Sequence, residues 1–257
     1  MRVLVTGSSG FVGSRLVATL EKKCEVVGVD PRWGPHTHRQ GIASKECDEG
    51  EEFDVVFHGG GMVDVATCEK DPLAAWEANV VESVRLAKLI KSKFFVFIST
   101  VATLKPVNTY GHTKAETFWL LSRMQLPLAT VILPNIYGLG GSGVVSKFLF
   151  TKEPVIYGSG EQRRDFAYID DVLNFLIDIG LNSKTGLHPF SGERITVNRL
   201  AYLCGRTRLP HTPPREFEIE DAPFPTAKRL HHTLLKDGIK DMVKQAKTQG
   251  MEVYGRM

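Results

Sequence analysis

At 257 residues, with 42% hydrophobic and 24% charged side chains, the chain has the make-up of a soluble globular protein with a core large enough for one large domain or two small ones. Its 32 basic and 29 acidic residues are interspersed and leave a formal charge of only +3, which excludes the concentrated basic surface of a nucleic-acid-binding protein and points to a small-molecule partner. Cys24, Cys47, Cys68 and Cys204 form no C-x-x-C pair and are too sparse for a disulfide scaffold, which fits a reducing compartment. The histidine clusters His36/His38 and His231/His232 have no further ligands at suitable spacing, so no metal is expected. The chain opens directly on folding sequence, without a charged leader or a long apolar segment, and the expectation is a cytoplasmic protein with no membrane attachment.

In chain order, "RVLVTG" is a β-branched run that ends in glycine and leads into "GSSGFVG", where Gly7, Gly10 and Gly13 punctuate the entry to an amphipathic helix, "SRLVATLEKK". Glycines at this junction let the backbone approach a pyrophosphate, whose charge then meets free N–H groups at the helix N-terminus. The next apolar run, "CEVVGVD", ends in Asp30, at the distance where a carboxylate meets the hydroxyls of an adenosine ribose. Such a carboxylate repels a 2′-phosphate and favours NAD over NADP, although Arg32, two residues on, partly offsets that repulsion. "FDVVFHGGG" and "KFFVFIST" read as buried parallel strands separated by a helix over "PLAAWEANVVESVRLAKLIKS", which makes the fold class α/β. After them comes a helix carrying Tyr110 and Lys114 four residues apart, on one face. Alone, that pair is common by chance. Further on, "KEPVIYGSGEQRRDFAYI" reads as strand, turn and strand. "DDVLNFLIDIGL" is a helix, and "TVNRLAYLCG" and "AKRLHHTLLKDGIKDMVKQAK" are further helical segments.

The ordered set "GSSGFVG", "FHGGG", "EANV", "IST", "YGHTK", "LPNIYG" and "YGSGEQRRDFAYIDDV" resembles the extended short-chain dehydrogenase/reductase superfamily over nearly the whole chain. Its last two members look like the nucleotide-sugar epimerase/dehydratase branch, closest in kind to UDP-glucose 4-epimerase-like proteins. The resemblance implies a Rossmann-type doubly wound parallel sheet with a small C-terminal substrate lobe. Residues 1–138 would form the NAD-binding domain and 139–257 mainly the substrate lobe, with roughly 165–185 returning to the main sheet. It implies that Tyr110 is the general acid/base, that Lys114 holds the nicotinamide ribose and lowers the tyrosine pKa, and that Thr100 bonds the reacting oxygen. NAD would be held by Gly7, Gly10, Phe11, Val12, Gly13, Asp30, Asp48, Gly59, Gly60, Gly61, Asn79, Ser99, Tyr110, Lys114 and Pro134. Thr100, Asn135 and Arg164 would bind the substrate, Asn135 and Arg164 through the diphosphate of a nucleotide-diphosphate sugar. A free tyrosine titrates near 10, so a base at neutral pH needs a shift of about three units, roughly 4 kcal/mol.

Two departures refine the reading. Dehydratases of the branch carry an acidic pair directly after the Thr100 position, and here the residues are Val101 and Ala102. Water loss and decarboxylation therefore lose weight, leaving 4-epimerisation through a transient 4-keto sugar, or simple oxidation or reduction by a nucleotide-sugar dehydrogenase or ketoreductase with a dissociable cofactor. A non-catalytic NAD(P)-binding sensor is the alternative of another class. The second departure is length: between Asp30 and Phe53 there is no room for two crossovers of about ten to twelve residues each plus a strand, so one or both helices must be lost. "IASKECD" is the expected abbreviated third strand, with Asp48 near the adenine and an open adenine side. Apolar residues on the segments "AAWEANVVESVRLAKLI" and "HTKAETFWLLSRM" exceed what one core contact needs, which predicts a homodimer.

Overall fold

The computed structural model describes residues 1–215 and 233–255. The chain divides into two compact units, Met1–Ile132 with Leu173–Pro189, and Leu133–Val172 with Phe190–Met257.

The first unit is built from β1 (Arg2–Thr6), α1 (Phe11–Leu20), β2 (Glu25–Asp30), β3 (Arg39–Gln40), α2 (Ala43–Glu46), β4 (Glu52–His58), α3 (Val65–Lys70), α4 (Pro72–Trp76), a π-helical turn (Glu77–Val81), α5 (Glu82–Leu89), β5 (Lys91–Thr100), a 3₁₀ turn (Val101–Leu104), α6 (Thr109–Ser122) and β6 (Leu128–Leu133). After an excursion into the second unit the chain returns to this sheet. The second unit begins with β7 (Asn135–Tyr137), α7 (Val144–Phe150), β8 (Ile156–Tyr157) and β9 (Arg163–Tyr168); α8 (Ile169–Leu181) then leads back to β10 (Gly186–Pro189). β11 (Glu193–Thr196), α9 (Val197–Leu203), β12 (His211–Thr212) and α10 (Leu235–Thr248) complete the second unit. The part of the C-terminal helical reading that covers residues 227–232, His231 and His232 included, lies outside the described residues.

The large sheet has seven strands in the order β10-β6-β5-β4-β1-β2-β3. Register is parallel where β1 meets β2 and β4, where β4 meets β5, and where β10 meets β6. Central strands of such a sheet are covered on both faces, which is why their sequences are continuous apolar runs. Leu4, Val56, Phe57, Phe95 and Phe97 are fully buried. All the strands of the glycine-turn half point their C-terminal ends to one edge, so Gly7, Asp30, Gly59 and Thr100 are delivered together at that edge.

The shortened region is resolved differently from its sequence reading. "IASKECD" is not a strand: Ala43–Glu46 forms the single-turn helix α2, and the third strand is the two-residue Arg39–Gln40. The crossover from β2 to β3 has no helix and is the loop 31–38. The 72–89 segment is helical as read, but it contains a π turn over Glu77–Val81, a local widening that places one extra residue in the helix.

Two ionisable groups tie stability to pH. Glu51 is gripped by Arg39 (2.8 Å to each carboxylate oxygen) and Arg2 (2.7 Å), and these bonds, Arg39's foremost, hold its carboxyl down at about 2. Burial, with the Lys114 charge adding to it, brings the His58 imidazole from 6.5 down to about 3. Both shifts mean that the unfolded chain binds protons first on acidification. His58 removes stability as pH falls below 6.5 toward 3, and Glu51 adds its own loss below 4.5 toward 2. Urea midpoints are expected to fall as pH drops below 6.5, His58 supplying a slope of at most about 1.4 kcal/mol per pH unit. A flat profile between pH 6.5 and 4.5 would contradict this.

Candidate active site

At the strand-end edge of the first unit, Gly7 adopts φ +75°, and a Cβ there would lie 3.0 Å from the Gly59 carbonyl group and the Gly60 nitrogen. A side chain on Gly13 would come within 2.1 Å of the Gly7 carbonyl oxygen, so the glycine brings α1 directly onto the turn. Gly10 forms the helix N-cap and offers no side chain to its N–H groups, leaving the amides of Phe11, Val12 and Gly13 at an uncapped positive end. Asp30 is buried: its carboxylate accepts from the Ser9 amide at 3.1 Å and the Arg32 amide at 2.8 Å, with the Arg32 guanidinium 3.6 Å away.

The end of β4 is fixed by a hydrogen-bond chain that the sequence reading missed. Gly60 N–H donates to the Thr6 hydroxyl (2.9 Å), which meets His58 Nδ1 (2.8 Å); His58 Nε2 meets the Ser83 hydroxyl (2.7 Å), and Ser83 donates to the Asn79 carbonyl (2.6 Å). Because Ser83 spends its proton on Asn79, neutral His58 must donate from Nε2 and accept at Nδ1. The signal was the lone histidine closing an apolar strand before three glycines.

Asn79, placed by the π turn, is buried. Its amide donates to the Met62 carbonyl (2.9 Å) and the Thr113 hydroxyl (2.9 Å), and its oxygen accepts from the Met62 amide (2.7 Å). A Cβ on Gly61 would sit 2.4 Å from that oxygen. Both amide protons of Asn79 are committed, and it braces the Gly61–Met62 segment against α6. The expectation for Asp48 is corrected. It lies in the turn before β4, with its amide bonded to Glu51 at 3.2 Å, on the edge of the sheet opposite to Asp30.

α6 starts from Asn108, whose side chain accepts from Gly111 N–H at 2.8 Å, and from Glu69, which accepts from Thr109 N–H at 2.5 Å. This first turn presents Tyr110 beside the Thr100 side chain at the end of β5, whose hydroxyl accepts from the Ala102 amide at 3.3 Å. Burial pushes the phenol up to about 12, while the Thr100 hydroxyl pulls the other way. Lys114, one turn on, is buried; its ammonium donates to the Ile98 carbonyl at 3.2 Å and stands 4.7 Å from the centre of the Phe97 ring. Burial alone brings it down to about 8. Ser99 turns inward to the Thr103 hydroxyl at 2.7 Å, and Val101 and Ala102 are buried apolar residues at the acid-pair positions.

In the second unit a three-stranded sheet runs β11-β9-β7. Asn135 pairs with Phe166, and Ile195 with Arg164, so strand alternation puts Asn135, Arg164, Phe166 and Tyr168 on one face and Arg163, Asp165 and Arg194 on the other. Asn135 donates to the Asp165 carbonyl at 3.2 Å, and Pro134 lies buried just before it. Asp165 is ion-paired with Arg194 at 3.2 Å. A surface hollow of about 410 Å³ lies elsewhere, between Arg2, Glu52, Asp54 and Lys93 at the opposite sheet edge, where Arg2 is ion-paired with Glu51 and Lys93 with Asp54.

The family model of the NAD-dependent epimerase/dehydratase family matches residues 3–190. The chain belongs to that family. A putative UDP-glucose 4-epimerase of Methanocaldococcus jannaschii is 25% identical over 240 residues, covering 72% of this chain and 79% of the relative. Among solved structures, MoeE5 in complex with UDP-glucose and NAD superposes with a TM-score of 0.83 at 20% identity, covering 97% of this chain and 99% of that one. The UDP-glucose 4-epimerase of Thermotoga maritima, solved with UDP-glucose, gives 0.77 at 24% identity, with coverage of 97% and 99%. At these identities the structural likeness is one of fold. As a member of the NAD-dependent epimerase/dehydratase family the chain is an NAD-dependent enzyme, and the first unit fits the cofactor: a glycine cradle that a Cβ would fill, an uncapped helix N-terminus for a pyrophosphate, Asp30 for ribose hydroxyls, and a buried lysine held by a carbonyl rather than a carboxylate. Among the described residues no group of three or more His, Cys, Asp or Glu side chains is placed to hold a metal, and no helix is long and apolar enough to cross a membrane.

Proposed function

We propose that the chain is a nucleotide-sugar 4-epimerase that works through a transient 4-keto sugar, with Tyr110 as general acid/base. The observation that carries this is Tyr110 in the first turn of α6 beside Thr100 at the end of β5, with Lys114 one turn behind it and the apolar Val101 and Ala102 next to them. NAD, when bound, supplies a two-electron acceptor and donor. Tyr110 takes the proton of the sugar C4 hydroxyl and later returns it, and Thr100 holds the same oxygen. With no carboxylate at positions 101 and 102, this wall offers no group to shuttle the protons that water loss requires. Lys114 secures the ribose. Asn135 and Arg164, on one face of their sheet, hold the diphosphate. The matched M. jannaschii protein, a putative UDP-glucose 4-epimerase, and the T. maritima UDP-glucose 4-epimerase solved with UDP-glucose support a nucleotide sugar as substrate.

A panel of UDP-, GDP- and dTDP-sugars incubated without added cofactor tests the proposal. Conversion to the C4 epimer with no net redox change is expected; turnover only on addition of NAD, with reduced cofactor accumulating, would replace it with the second reading. That reading, a nucleotide-sugar dehydrogenase or ketoreductase, draws on loop 31–38, which stands where a crossover helix would close the adenine side.

The enzyme is expected to be a homodimer. Leu73 and Trp76 on α4 and Trp119 on α6 are 84%, 43% and 51% exposed, and the two helices pack side by side, so they form an apolar surface suited to a two-fold partner. Light scattering that gives a monomer mass at micromolar concentration would overturn this.

A further inference from the structure

Loop 31–38, which replaces the β2–β3 crossover helix, is stitched to the glycine turn. The Ser9 hydroxyl donates to the Arg32 carbonyl (2.7 Å) and meets the Thr37 hydroxyl (2.6 Å), and a Cβ on Gly34 would lie 2.8 Å from the same Ser9 oxygen. At its far end His38 N–H donates to the Gly28 carbonyl (2.8 Å), while Gly28 N–H donates back to His38 Nδ1 (3.0 Å). Trp33 therefore sits between two residues that are both fixed against Ser9, next to Asp30. Its indole is nevertheless 68% exposed. Across β2, Gly41 N–H donates to the Asp30 carbonyl at 3.0 Å and so fixes the following residue, Ile42, which is 37% exposed. Two large apolar side chains thus flank the strand end that carries the ribose-facing carboxylate. Leaving both in water is unfavourable unless a flat apolar group covers them.

We propose that Trp33, with Ile42 opposite, forms the slot for the adenine ring of the NAD cofactor, the indole doing the work of the wall lost with the crossover helix. The inference rests on Asp30 marking the adenosine ribose. Adenine is the part of the cofactor attached to that ribose, and an aromatic face is the surface on which a base stacks. A loop-borne indole at the mouth also lets the adenine end leave without unfolding a helix, which bears on how readily the cofactor exchanges.

The test is calorimetric titration of ADP-ribose into protein stripped of nucleotide with charcoal, for wild type, Trp33→Ala and Trp33→Phe. Trp33→Ala is expected to weaken binding by about 5- to 150-fold, the range for losing one base–aromatic stack, and Trp33→Phe by less than about threefold. ADP-ribose should quench wild-type indole fluorescence, and Trp33→Phe should lose that quenching although it still binds. Urea midpoints of both variants should match wild type, since the indole is at the surface. If Trp33→Ala bound within about twofold of wild type, the slot would be wrong while the cofactor site stood. If folded wild type bound neither ADP-ribose nor NAD, the assignment of Asp30 would fall together with the slot.

Discussion

Replacing Tyr110 by phenylalanine is expected to lower turnover at least about a hundredfold, the lower range for loss of a general acid/base, while NAD still binds. The substitution removes one oxygen and keeps the ring that packs at the start of α6, so folding should be little changed. What is lost is the phenol oxygen beside Thr100, the atom that carries the C4 proton in the proposed mechanism. Burial outweighs the Thr100 hydroxyl and leaves the phenol up at about 12, too high for a base at neutral pH, so the proposed mechanism requires ligand binding to lower it. Lys114, already down at about 8 and still able to carry charge at neutrality, is the cation within the same helix that is available for that work. Lys114→Ala is accordingly expected to damage both turnover and NAD binding, whereas the tyrosine variant damages turnover alone. Steady-state rates on the converted sugar nucleotide and calorimetric NAD titrations check the pair. Retention of more than half of wild-type activity by Tyr110→Phe would remove the catalytic assignment.

Much of this site was legible because its signals are local. A continuous apolar run, a glycine turn and a helix read directly as β1, the cradle and α1, and Tyr110 and Lys114 are related by one helical turn. The unread parts depend on contacts far apart in the chain. β3 is two residues long and owes its existence to pairing with Val29 and Asp30, so no run of its own residues announces it. Asp48 reads in the sequence as part of an abbreviated third strand, whereas its turn folds back to Glu51 and the arginine cluster. Asn79 lies in an apparently regular helix, and only the π turn, with Met62 and Thr113 packed against it, shows where its amide is spent. His58 is a polar residue within an apolar strand, and its partners Thr6 and Ser83 lie 52 and 25 residues away.

Arg164→Ala is expected to weaken binding of UDP or dTDP by about 1.5–3 kcal/mol, the range for a charge-assisted hydrogen bond, and to leave NAD affinity nearly unchanged. β9 alternates, so Arg163 and Arg164 leave the strand on opposite faces, and the register of β7 puts Asn135 on the face of Arg164. Toward the C-terminal end of that face α10 covers the sheet: Tyr168 donates to Asp241, and a Cβ on Gly238 would come within 2.3 Å of the Tyr137 hydroxyl. Asn135 and Arg164 occupy the N-terminal end. The opposite face has its own arginine, Arg194, but it is ion-paired with Asp165, a buried carboxylate whose pKa burial raises, and removing it would leave that group without its cation. Arg194 thus serves the fold, Arg163 is exposed at the strand start, and Arg164 is the guanidinium whose face also carries an amide suited to a second phosphate contact. Arg163→Ala should therefore bind within about twofold of wild type. Titration of both variants with UDP and dTDP decides the matter: equal affinity for wild type and Arg164→Ala would remove the diphosphate assignment, and with it the nucleotide-sugar substrate, while leaving the NAD-dependent chemistry of the first unit in place.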